Sequence, residues 1–133
     1  MRPKKRILIA GASEDRVGVL RFLFLNKGYA VQTAQTSAEA AGLLEAGGFE
    51  LLLYDLPLPG VEQLLAEAGI PTIALCSGVK VAPDGLTADA VLWRGFSAAE
   101  LVERVRVLTA RKRGPKPVVR AVMPEENGTW RVA

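Results

Sequence analysis

The feature that most constrains the fold is an unbroken apolar run, Leu51-Leu52-Leu53-Tyr54, that ends on Asp55. A strand with one face in water alternates apolar and polar residues, so four consecutive large apolar side chains predict a strand buried on both faces. Such strands belong to parallel sheets covered by helices on either side, because parallel neighbours need crossover connections. The run therefore predicts a middle strand of a three-layer α/β domain.

Four more apolar runs alternate with helical patterns along the chain. Apolar residues at three- and four-residue spacing from Val17 to Phe24 predict a helix, and Gly28 supplies its C-terminal cap. Possible capping boxes that begin at Thr36 and Ser97 predict two further helices. Five strands with intervening helices indicate a doubly wound parallel sheet. The remaining strands are predicted at 6–10, 29–34, 71–76 and 90–93, and a two-turn helix is predicted at 61–68.

The crossover before the last strand departs from this pattern. The thirteen residues from Ser77 to Asp89 include Gly78, Pro83 and Gly85, which oppose a regular helix. We therefore expect the fourth helix of the doubly wound sheet to be shortened or missing.

The C-terminal tail differs in charge from the rest of the chain. Residues 111–133 carry six Lys or Arg residues against two Glu, whereas residues 1–110 carry eleven against twelve acidic residues. The last helix is expected to run antiparallel to the strands, which brings its basic end close to Arg2, Lys4, Lys5 and Arg6, on the side away from Asp55. We divide the chain into a domain at residues 1–113 and a basic linker with a terminal hairpin at residues 114–133.

The hairpin is predicted from two apolar segments, 118–123 and 129–132, on either side of Asn127-Gly128. Asn-Gly is a favoured two-residue turn between antiparallel strands. An isolated hairpin is marginal in water, so we expect it to dock on the domain, on a second copy of the chain or on a partner.

Composition narrows the functional classes. A chain of 133 residues fits one core, and its single cysteine cannot form an internal disulfide. Because no long apolar stretch follows the N-terminal Met-Arg-Pro-Lys-Lys-Arg to serve as a signal peptide, and no internal disulfide can form, we expect a cytoplasmic protein. The longest apolar runs are far shorter than the roughly 20 residues that cross a bilayer, so we expect no membrane insertion. The chain has no histidine, which removes the commonest general base and metal ligand.

The order of these elements resembles the receiver domain of bacterial response regulators over about residues 5–111. The most specific part is an aspartate that ends an apolar strand, with Pro-Gly four and five residues later. The resemblance implies a flavodoxin-like α/β fold, with a five-stranded parallel sheet in the order 2-1-3-4-5, and a role in two-component signal transduction. Its segments are Arg6-Ile-Leu-Ile, Gly28-Tyr29-Ala-Val, Leu51-Leu-Leu-Tyr-Asp55-Leu-Pro-Leu-Pro59-Gly60, Pro71-Thr-Ile-Ala-Leu and Phe96-Ser-Ala-Ala-Glu-Leu.

The resemblance also identifies a phosphoacceptor position. Receivers accept a phosphoryl group on the aspartate that ends the third strand, here Asp55, with Mg²⁺ held by two acidic residues after the first strand. Those two positions are Gly11 and Ala12, whose side chains cannot bind a cation. Glu14 and Asp15 follow at the opening of the first helix, where they favour its positive end.

Two further positions of the implied site depart from the family. The hydroxyl residue that ends the fourth strand is replaced by Cys76, which Ser77 follows, and the lysine that ends the fifth strand is replaced by Arg94. Cysteine is a weak hydrogen-bond donor, and at the end of an apolar strand it is expected to be buried. Without a metal ion, Arg94 is predicted to pair directly with Asp55.

We therefore interpret the chain as a pseudo-receiver that is not an enzyme, has no metal or cofactor and acts on a protein partner or as a homodimer without phosphorylation. One alternative is a Mg²⁺-dependent phosphoacceptor with unusual ligands. Another is a Rossmann-like domain that binds CoA or a dinucleotide, because Gly11-Ala12-Ser13 is similar to the phosphate-binding turn of such domains. Specific nucleic-acid binding through the tail is not expected, since no recognition-helix pattern follows residue 113.

Overall fold

The protein is represented by a computed structural model that describes residues 4–76, 88–93 and 95–110. Several predictions concern residues outside these ranges. They are the shortened fourth helix, the C-terminal hairpin, the domain boundary at residue 113, and the roles of Ser77 and Arg94. The strands are β1 (Arg6–Gly11), β2 (Ala30–Ala34), β3 (Leu51–Asp55), β4 (Thr72–Cys76) and β5 (Ala90–Trp93). The helices are α1 (Glu14–Asn26), α2 (Ser37–Ala46), α3 (Val61–Glu67) and α4 (Ala98–Ala110).

The five strands form one parallel sheet in the order β2-β1-β3-β4-β5. This order confirms the predicted flavodoxin-like fold and differs from the Rossmann order 3-2-1-4-5-6. All five residues of β3 are buried, as the apolar run predicts for a strand in the middle of a parallel sheet.

Alternate residues of each strand face opposite helical layers. In β3, Leu52 and Tyr54 pack into the core cluster that includes residues of α2 and α3. Leu51 and Leu53 pack into the second cluster, with α1 and α4. Asp55 lies on the same face of β3 as Leu51 and Leu53, so its side chain is directed toward the layer of α1 and α4.

The ends of α1 are set by local hydrogen bonds. Ser13 is its N-cap, and its hydroxyl oxygen accepts the backbone N–H of Arg16 at 3.3 Å. At the other end, Gly28 has a φ of +90° and donates its N–H to the carbonyl of Leu25, while the N–H of Tyr29 reaches the carbonyl of Phe24 at 3.1 Å. These bonds form a Schellman motif, and they explain why β2 begins one residue later than predicted.

The predicted capping residues of the other helices take the same role. Thr36 accepts the backbone N–H of Glu39 at 3.1 Å, and Ser97 accepts that of Glu100 at 3.1 Å. At the opposite edge of the sheet, the Lys5 ammonium donates to the carbonyl of Thr109 at 3.1 Å. This contact confirms that the end of α4 lies next to the start of β1, away from Asp55.

Candidate functional site

Asp55 lies at the carboxyl edge of the sheet, in the middle of the strand order. It is in register with Gly11 of β1 and Leu75 of β4. Its side chain is only 5% exposed. A carboxylate in this position is largely removed from water, so its charge needs compensation from a neighbouring group.

The compensating group is Arg16, in the first turn of α1. Its guanidinium Nη2 donates to Oδ1 of Asp55 at 2.8 Å, while its backbone N–H is held by the Ser13 cap. Sequence reasoning missed this residue. A signal was present, because a cation in the first turn of a helix lies near the positive end of the helix dipole and opposes it. The contact with Asp55 offsets that cost.

Burial and charge act in opposite directions on Asp55. Removal of water raises the pKa of the Asp55 carboxyl above its usual range, and the positive charge of Arg16 partly opposes this effect. The net shift is upward, since burial is the larger influence. The Arg16 contact therefore compensates the buried charge only in part.

The residues present do not fit the Mg²⁺ site that the family implies. A Cβ atom at Gly11 would lie 2.8 Å from Cγ2 of Val17 and 3.2 Å from Cβ of Asp55, so an acidic side chain there would have to displace Val17. Ala12 is exposed, and its side chain has no oxygen or nitrogen that could bind a cation. Within residues 4–76, 88–93 and 95–110, no three His, Cys, Asp or Glu residues group closely enough to hold a metal ion. We therefore derive no step through Mg²⁺.

A pocket of about 290 Å³ opens beside the ion pair. Arg16, Asp55 and Asp15 contribute its charged lining, and Leu75, next to Asp55 in the sheet, also lines it. The other described lining residues are apolar, namely Val19, Leu20 and Phe96. Asp15, predicted to favour the positive end of the first helix, lies in the first turn of α1 and also lines this pocket.

Cys76 is buried, as predicted, but it faces away from the pocket. Its side chain packs with Tyr54 in the cluster on the α2 and α3 side of the sheet. Burial, with a smaller contribution from the charge of Asp55, raises the pKa of the Cys76 thiol to about 11. Of the residues predicted to form a degenerate pocket, Gly11 thus contacts Asp55, Ala12 is exposed and Cys76 lies on the other face.

The predicted pairing of Arg94 with Asp55 lies outside the described residues. The partner that the structure gives to Asp55 is Arg16. The difference has a simple origin. Arg94 was predicted because it follows the end of a strand, as Asp55 does, whereas the observed partner comes from a helix.

Sequence relatives of the chain are signalling proteins, although no family model matches it. The chain is 29% identical over 115 residues to the sensory transduction protein RegX3 of Mycolicibacterium smegmatis, covering 79% of this chain and 50% of that protein. It is 28% identical to RegX3 of Mycobacterium tuberculosis, covering 51% of that protein. The chain thus spans about half the length of these relatives.

Solved structures share the fold. A CheY-like receiver domain protein from Methanospirillum hungatei superposes with a TM-score of 0.72 at 24% identity, covering 81% of this chain and 95% of that one. The response regulator TrrA of Thermotoga maritima, in complex with Mg²⁺-BeF, gives 0.68 at 24% identity, covering 78% and 98%. The receiver domain of the sensor histidine kinase PA1611 of Pseudomonas aeruginosa, with magnesium in its active-site cleft, gives 0.69 at 19% identity, covering 82% and 100%. The resemblance to response regulator receiver domains is confirmed.

Proposed function

We propose that this chain, which has the receiver fold, is a pseudo-receiver that acts in signal transduction through phosphorylation-independent contacts with other proteins. The observation that carries this proposal is the 2.8 Å ion pair between Arg16 and the buried Asp55. We place the protein in the cytoplasm and treat residues 1–113 as the signalling domain, with 114–133 as an appended segment. The structure gives no helix, among the described residues, that could cross a membrane.

The ion pair opposes phosphoryl transfer at the attacking atom. A carboxylate attacks through a lone pair on one of its oxygens, and the charge-assisted hydrogen bond that Oδ1 of Asp55 accepts from Arg16 makes the whole carboxylate less nucleophilic. The charge that develops on a transferring phosphoryl group must also be stabilised by cations placed around it. Arg16 is directed at the carboxylate, and Gly11 and Ala12 offer no ligand for a second cation.

The burial of Asp55 also opposes its phosphorylation. Burial raises the pKa of Asp55 in spite of Arg16, so the ionised carboxylate already carries a cost of burial that the ion pair compensates only in part. Addition of a doubly charged phosphoryl group at a side chain that is 5% exposed would increase the cost of burial. The site is therefore poorly suited to carry additional negative charge.

Protein contacts are the function that remains for such a domain. The related RegX3 proteins are named as sensory transduction proteins, and receivers in this fold serve as modules of larger signalling proteins. We propose a protein partner, with a homodimer as one form of that contact, and no catalytic activity. The sheet order and the packing of Val17 and Asp55 against Gly11 give no support to a Rossmann-type phosphate site.

The test is intact mass spectrometry of the purified chain after incubation with acetyl phosphate, with and without Mg²⁺. An Mg²⁺-dependent receiver treated in parallel serves as the positive control, and Asp55→Asn identifies any modified site. We expect no mass gain in this chain under conditions that phosphorylate the control. A Mg²⁺-dependent gain of one phosphoryl group that disappears in Asp55→Asn would overturn the proposal and establish a phosphoacceptor with unusual ligands.

A ligand-binding test distinguishes the pseudo-receiver from the other alternative, a Rossmann-like domain that binds CoA or a dinucleotide. CoA and NAD(H) are each titrated into the chain while the unfolding temperature is followed. We expect no saturable shift. A saturable shift would replace the pseudo-receiver interpretation with a nucleotide-binding one, because ligand binding to the native state stabilises it.

A further inference from the structure

Helix α1 has a second apolar face, directed away from the sheet. Val19, Phe22 and Leu25 are the exposed large apolar residues of the described part of the chain, with exposed fractions of 70%, 69% and 41%. Their three-residue spacing places them along one side of the helix, opposite the buried Val17 and Phe24. Contiguous exposed apolar side chains of this size mark surfaces that another element covers.

Gly18 adds a recess to this face. A Cβ atom at Gly18 would meet no atom within 4 Å, and Gly18 lies one helical turn before Phe22. A glycine inside a helix is unfavourable for the helix itself, and nothing in its described surroundings requires one here. It leaves open space beside the Phe22 ring for an incoming side chain. We call Gly18, Val19, Phe22 and Leu25 the α1 outer face.

We propose that the α1 outer face is the docking site of this chain's own apolar tail, residues 118–132. This inference goes beyond the proposed function and does not depend on Asp55. It assigns a position to the predicted hairpin, which is too small to be stable alone.

The tail begins next to the end of α1. Helices α1 and α4 lie on the same side of the sheet, since both contribute to one core cluster. Helix α4 ends at Ala110, and the Lys5 contact with Thr109 places that end at the edge of the sheet where β1 begins. Helix α1 ends at the same edge, because the strand that follows it starts in register with Arg6.

The connecting segment is long enough. Residues 111–117 span at most about 23–25 Å when extended. The 13 residues of α1 measure about 20 Å from end to end. The tail can therefore reach every part of the α1 outer face without crossing the sheet.

The tail also has matching chemistry. Its apolar residues are large and belong to both predicted hairpin strands: Val118, Val119, Val122, Met123, Trp130 and Val132. Its net charge is positive, while residues 1–110 carry one more acidic than basic residue. Glu14 and Asp15 are exposed at the start of α1, the end farther from Ala110, where they would attract the basic residues of the tail's apolar segment, Arg120 and Arg131.

Trp130 makes the proposal measurable. The chain has two tryptophans, so Trp93→Phe leaves Trp130 as the single emitter. In this variant we expect blue-shifted emission and weak quenching by acrylamide. Adding Phe22→Ser is expected to shift the emission to the red and to increase quenching several-fold. The matched control Glu45→Ser alters an exposed residue of α2, on the other side of the sheet, and is expected to change neither quantity.

A second measurement leaves Trp93 in place and covers the case in which Trp93→Phe does not fold. Urea unfolding, followed by circular dichroism, is compared for Phe22→Ser, Trp130→Ser and the double variant. We expect the double variant to lose less stability than the two single losses combined, because the substitutions remove one shared contact.

Three outcomes would overturn the proposal. The first is a fully solvated Trp130 that does not respond to Phe22→Ser, and the second is strict additivity in the unfolding measurements. The third is a protein that sediments as a dimer and whose blue-shifted Trp130 emission moves to the red when dilution dissociates that dimer. That last result would assign the α1 outer face to a second copy of the chain.

Discussion

Replacement of Arg16 by methionine is the most direct test of the site. Methionine keeps the unbranched side chain and removes the charge, so Asp55 would remain buried without its cation. A hydrogen bond to a charged group contributes about 1.5–3 kcal/mol. Because the Arg16 side chain is 42% exposed, solvent screening reduces this value, and we expect a loss of about 1–2 kcal/mol at neutral pH. The corresponding fall in the unfolding temperature is about 4–8 °C.

If Arg16 compensates the charge of Asp55, the loss of stability in Arg16→Met depends on Asp55. In Asp55→Asn the buried charge is removed, and we expect that single variant to be about as stable as the natural chain because the burial cost disappears with the Arg16 contact. Arg16→Met in the Asp55→Asn background should then be much less harmful, with a coupling of about 1 kcal/mol. This double-mutant cycle also cancels the energetic effect of any other contact that Arg16 makes.

The same loss should depend on pH. The pKa of Asp55 is raised in the folded state, so the carboxylate lowers stability as the pH rises through that pKa. Arg16 opposes this effect only while Asp55 is ionised. The cost of Arg16→Met should therefore be full at neutral pH and should shrink as the pH falls toward about 4, near the ordinary pKa of aspartate.

Urea unfolding between neutral and acidic pH provides the measurement, and Arg106→Met provides the control. The Arg106 ion pair with Glu103 is exposed on both sides, so its removal should leave stability nearly unchanged. Equal losses from Arg16→Met in the natural chain and in the Asp55→Asn background would refute the argument that Arg16 compensates Asp55. A loss that stays constant with pH would do the same.

Three further results are expected. Because burial raises the pKa of the Cys76 thiol to about 11, its reaction with a thiol reagent should be about a hundredfold or more slower in the native protein than in urea, and fast native labelling would contradict this. Gly42→Ala in α2, where a Cβ atom meets open space, should stabilise the protein by about 0.5–1 kcal/mol in urea unfolding, whereas Gly18→Ala should gain less if the tail covers it. Ala12→Asp combined with Arg16→Met should bind Mg²⁺ measurably by calorimetry, and the absence of any binding would show that more than these two residues closed the metal site.

The sequence by itself determined the architecture of this protein. The apolar run from Leu51 to Tyr54 can be satisfied only in a strand covered on both faces, and the regular alternation of strands and helices then requires parallel pairing. Capping residues such as Thr36 and Ser97 were readable because their hydrogen bonds join residues three apart along the chain. These features depend on local spacing, which a sequence displays directly. The importance of Asp55 followed from its place at the end of such a strand.

Only the tertiary structure decided what surrounds Asp55. The parity of β3 turns its side chain toward α1, and the Ser13 cap fixes the helical turn from which Arg16 reaches it at 2.8 Å. Cys76, one position beyond the residue paired with Asp55, points to the opposite layer by the same alternation. Such contacts join residues far apart in the chain, and their existence depends on the distances and rotations between packed elements. The ends of the strands could therefore be located from the sequence, whereas Arg16 could not be identified as the ion-pair partner of Asp55.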